Sequence, residues 1–133
     1  MMNTHPVPPA SRIPRLVGSV MLAEAATFAI ASILHFGVLE TFIGAAIPEA
    51  IIAVVLATGA IGVMRRWAGS WVMALATTLF ALAGVIIGLS VILMSRVSRP
   101  ADLAYHAGIL VALLITVGVL LSPAARRALR RPG

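Results

Sequence analysis

The chain has no cysteine and no lysine, and only four acidic residues among 133. Without cysteine there is no disulfide, no thiolate metal site and no thiol redox chemistry. Charged residues make up 11% of the chain, against about 25% in ordinary soluble domains. Aromatic residues are also scarce, at 5%. The net charge of +6 therefore does not point to nucleic acid, because the basic residues are not interleaved with the stacking aromatics that such a groove needs.

What fills the space is apolar. Hydrophobic residues reach 61% and the mean hydropathy is +1.08, so a lipid bilayer is the expected solvent. The charges are sorted accordingly. Glu24, Glu40, Glu49 and Asp102 lie inside or at the rim of apolar stretches, whereas all ten basic residues are arginines outside them. Carboxylates placed in lipid are costly and tend to be functional.

Four apolar spans are predicted, at about 16–36, 48–64, 71–94 and 101–121. The third, from Trp71 to Met94, has no charge and exceeds the roughly 20 residues that a membrane helix needs. The fold class expected is all-α: a polytopic membrane protein whose four transmembrane helices run up-down-up-down as one bundle. Residues 1–15 are polar and proline-rich and are expected to be a disordered tail. Residues 122–133 read as a basic tail, with Leu129 its lone large apolar residue, lying on the anionic lipid surface. Ala29-Ile30-Ala31 resembles a signal-peptidase site. Glu24 splits the apolar run before it, however, so the first stretch is expected to remain as a span.

Four spans bring both termini to one side. That side collects Arg12, Arg15, Arg65, Arg66, Arg126, Arg127, Arg130 and Arg131, against Arg96 and Arg99 opposite. The excess predicts cytoplasmic termini in a bacterial-type inner membrane, with anionic lipid beside the arginines. Trp67 and Trp71 fall at the inner headgroup level. Gly84 and Gly88 form a GxxxG pair, and Ala104 and Gly108 a similar one. Such pairs allow close helix approach, within the chain or in a homo-oligomer.

The same topology places His35, Glu49, Asp102 and His106 at one depth, near the outer interface, with Glu40 in the outer connection. Asp102 and His106 are four residues apart and so project from one helical face. Imidazole with carboxylate suits copper, zinc, iron or manganese, and a bundle core can hold such a site. The helix dipole alone would also favour Glu49 and Asp102 in first turns after Pro48 and Pro100. Tyr105 is expected to point to another face and anchor the interface.

Glu24 lies near mid-depth, about 13 Å past Arg15 at about 1.5 Å per residue. A central acid costs about 2.5–3.5 kcal/mol, so it is expected to face inward and carry its proton. Thr58, Thr77 or Thr78, and Thr116 fall at similar depth and are its candidate partners, as a proton relay or the polar end of a ligand cavity. The functional expectation is a metal-binding or proton-relaying site at the outer face. Three alternatives remain open: an accessory subunit of a larger complex, a b-type haem protein using His35 and His106, and an intramembrane acid–base enzyme acting on a lipid.

Overall fold

A computed structural model of the chain describes residues 12–38, 42–95 and 100–130. The helices are α1 (Arg12–His35), α2 (Ile43–Met64), α3 (Ser70–Met94), α4 (Pro100–Leu121) and α5 (Pro123–Arg130). The first four are long and apolar enough to cross a membrane, and they form an all-α four-helix bundle. Each packs on the next in sequence, α1 meets α4, and α1 and α2 share the largest interface.

Two helices begin earlier than the sequence pattern predicts. The first starts at Arg12, so Arg12–Arg15 are helical rather than part of a tail. Pro14 is tolerated there because the first-turn N–H groups have no intrahelical partner to lose. The second starts at Ile43 and carries Pro48 inside it. Ala45 and Ala46 already donate to the Phe42 carbonyl, so the helix is under way before the proline. Glu49 is consequently beyond the first turn, and the dipole account of its position fails.

The α2–α3 turn is tight. Arg65 N–H donates to Ile61, Trp67 N–H donates to Gly62, and Ser70 N–H donates back to Trp67. Arg66 and Gly69 adopt positive φ of 53° and 74°, a conformation natural to glycine and less common for arginine. The residues 1–11, 39–41, 96–99 and 131–133, which include His5, Glu40, Arg96, Arg99 and Arg131, lie outside the described residues.

Met21, Phe28, Leu56, Val63, Val85, Leu113 and Leu120 form the buried core. Ile30, Val54, Leu93 and Ile115 point outward and are exposed. A belt of large apolar side chains this broad suits lipid and would associate in water. The GxxxG pair on α3 is used within the chain: Gly84 faces Ile52 of α2, and Gly88 faces His106 of α4. Gly108 has open space around it.

The basic tail is not a loose surface anchor. After Ser122 the chain turns, Pro123 opens α5, and Ser122 Oγ accepts the Ala125 N–H at 3.2 Å. Leu129 is 4% exposed and belongs to the core cluster. Ser70 Oγ donates to the Leu129 carbonyl at 3.0 Å. The helix therefore docks on its own bundle.

Candidate functional site: a pocket walled by histidines and carboxyls

A cavity of about 420 Å³ lies between all four long helices, at the end away from α5. Phe28, Phe42, Ile52, Val85, Val91 and Ile92 make its wall largely apolar. Its polar groups are His35 from α1, Glu49 from α2, and Asp102 and His106 from α4.

Helical spacing explains how α1 contributes. Glu24, Phe28, Ala31 and His35 recur at three- and four-residue steps, so they line one inward face, and all but half-buried His35 are buried. His35 Nδ1 and Glu49 Oε2 share a hydrogen bond of 2.7 Å, the one ion pair among the described residues. Nearby, Ser32 Oγ donates to the Ala46 carbonyl at 2.7 Å. These two links fix the start of α2 against the end of α1. The other carboxyl oxygen, Glu49 Oε1, is buried and has no hydrogen-bond partner among the described residues.

Across the cavity, His106 Nδ1 lies 2.9 Å from the backbone carbonyl of Asp102. A carbonyl only accepts, so Nδ1 carries the proton and Nε2 is the unprotonated nitrogen. It faces Gly88, where a Cβ would stand 2.9 Å away. The His106–Asp102 pairing thus runs through main chain rather than through the carboxylate. All four residues border one cavity. Even so, among the described residues no group of three or more His, Cys, Asp or Glu side chains is close enough to hold a metal ion.

Tyr105 departs from its expected role. It is half-buried, meets Phe28 edge-on at 6.4 Å and His106 at 5.2 Å, and buries its hydroxyl rather than anchoring an interface. The pairing of Tyr105 with α1 had no signal in the sequence, because it depends on the rotation of α4.

Deeper in the bundle, Thr116 Oγ1 donates to Glu24 Oε1 at 2.6 Å, joining α4 to α1. Glu24 is 4% exposed, and its Oε2 has no hydrogen-bond partner among the described residues. The other candidate threonines do not reach it. Thr58 is exposed and donates to Val54 of its own helix. Thr77 donates to the Ala74 carbonyl and packs against Gly59, and buried Thr78 donates to the same carbonyl. Depth was shared by all four threonines, but facing was not.

No family model, curated protein or solved structure matches this chain. Its chemistry has to be read from the side chains themselves.

Proposed function

We propose that the pocket binds a small membrane-soluble amphiphile and that the His35–Glu49 pair exchanges a proton with its polar head. One observation carries this reading: a 2.7 Å imidazole–carboxyl contact in the wall of an otherwise apolar cavity of about 420 Å³. Ligand pockets commonly hold about 300–1,000 Å³ and combine apolar walls with a few directed polar groups. Glu49 Oε1 has no hydrogen-bond partner among the described residues, and His106 Nε2 is the unprotonated ring nitrogen; together they offer a head group one site on each wall. Glu24, about 16 Å down α1 from His35 at about 1.5 Å per residue, is a second buried carboxyl that extends the proton-handling reading to mid-depth. Acid–base chemistry on a bound lipid would use the same groups.

In this reading the protein sits in a bacterial-type inner membrane with the arginine-rich end in the cytoplasm, so the pocket faces the outer leaflet. A reporter fused after Gly133 should be active inside the cell, and activity outside would reverse the orientation.

The test of the pocket is native mass spectrometry of protein released gently from membranes. The wild type should carry a small-molecule adduct that Glu49→Gln and Gly84→Leu both lose. The leucine enters the cavity beside Ile52. A wild type that never carries an adduct would refute the proposal. The same preparation tests the metal and haem readings. Copper, zinc, iron or manganese present in wild type and absent in His106→Ala would favour an ion, and a Soret band would favour haem. An accessory role in a larger complex would appear as stable co-purifying partners.

A further inference from the structure

At the opposite end, Arg126 and Arg130 both lie over one indole. Their guanidinium carbons are 5.1 Å and 4.4 Å from the Trp71 ring centroid. The ring itself is pinned, because Trp71 Nε1 donates to the Leu120 carbonyl at 2.8 Å. The helix that carries the arginines is pinned as well, through buried Ala125 and Leu129 and the Ser70–Leu129 bond. Neither the platform nor the cations hang on a free tail.

Two like charges one helical turn apart repel. Attraction to the ring face offsets part of that, by about 0.5–1 kcal/mol at an exposed site. Among the described residues no carboxylate pairs with either arginine to offset the rest. The acids among the described residues are Glu24, held by Thr116 at mid-depth, and Glu49 and Asp102 at the pocket. Guanidinium groups hold phosphate oxygens through paired N–H donors. The site also lies where the helices emerge, beside the Leu121–Pro123 break, at the level expected for lipid phosphates.

We propose that Arg126 and Arg130, held over Trp71, form a clamp for one phosphate group, that of an anionic phospholipid, and that its binding stabilises the docked α5. Arg127 is on the same short helix but is not one of the guanidiniums stacked on the indole, so it supplies an internal control of equal charge. This site is independent of the pocket, and its test needs no knowledge of the pocket's ligand or of membrane orientation.

The experiment is amide hydrogen exchange of residues 123–130 in lipid nanodiscs, which expose both faces. Nanodiscs of phosphatidylcholine alone are compared with nanodiscs containing phosphatidylglycerol, and with phosphatidylcholine plus inorganic phosphate at matched ionic strength. Phosphatidylglycerol should slow exchange in α5 by about tenfold, as expected for a ligand present at roughly ten times its dissociation constant. Arg126→Gln and Arg130→Gln should each abolish most of that slowing, and Arg127→Gln should keep it. Equal slowing by inorganic phosphate would support the clamp but assign it to free phosphate. No slowing by either, or an equal loss in Arg127→Gln, would overturn the proposal.

Discussion

At the α5 end, Trp71 is bonded to Leu120, covered by two arginines, and packed against the core cluster that includes fully buried Leu120 and Val63. At the pocket end, a cavity of about 420 Å³ stands open between the same helices, and Glu49 Oε1 is buried with no partner among the described residues. One chain thus closes one end with packing and main-chain bonds, and leaves the other underfilled, with an unpartnered carboxyl oxygen among its described residues. Buried polar atoms left unpaired cost about 1–3 kcal/mol, so a bundle selected only for stability would not retain them. The difference separates a tightly packed end from an open one.

Removing packing should hurt the closed end far more. Leu120→Ala is expected to cost about 3 kcal/mol, as for other fully buried leucines. Ile92→Ala, at the rim of the cavity, should cost about 1 kcal/mol, because that side chain is half-exposed already. Thermal unfolding in detergent, followed by circular dichroism, compares the two. Equal losses would mean that the ends are not packed differently.

Trp71→Phe comes next. It removes the bond to Leu120, worth about 1 kcal/mol, and weakens the stacking of both arginines by up to about 1 kcal/mol. Trypsin should then cut after Arg126 and Arg127 several-fold faster, while the pocket end stays protected. If cleavage is unchanged, α5 is held by Leu129 alone.

His35→Ala sharpens the comparison from the other side. It leaves Glu49 without its imidazole and should cost about 1 kcal/mol in unfolding. The expected loss in ligand retention is larger than the loss in stability. A large stability loss with unchanged retention would make the pair a structural bolt.

The smallest effects concern glycines. Gly108→Ala meets nothing within 4 Å and should stabilise α4 by about 0.5–1 kcal/mol, the usual gain in a helix. Gly88→Ala should show almost no gain, since its methyl must displace His106 Nε2. Paired melting curves decide this. An equal gain at both positions would mean that His106 moves freely.

Much of this was legible along the chain. Long apolar runs and flanking arginines gave the number and order of the long helices. Counting residues gave depth, which is why Glu24 and Thr116 could be matched across 92 positions. Rotation about each helix was not legible. Thr58 shares that depth yet stands off the α2 face marked by Leu56, Gly59, Ala60 and Val63. The same limit hid the inward turn of Tyr105. Pro48 read as a helix start because proline favours that position, whereas the bonds from Ala45 and Ala46 to Phe42 had already opened the helix. The docking of α5 escaped for another reason: an arginine-rich segment looks solvated until its tertiary partner, the indole of Trp71, is known.

The distribution of aromatic residues has a practical consequence. Both tryptophans, Trp67 and Trp71, sit at the α5 end, and the single tyrosine, Tyr105, lies beside the cavity. Red-edge ultraviolet light excites indole and spares phenol. Emission excited there comes from the α5 end alone, and events at the clamp can be watched without a dye or an added reporter residue.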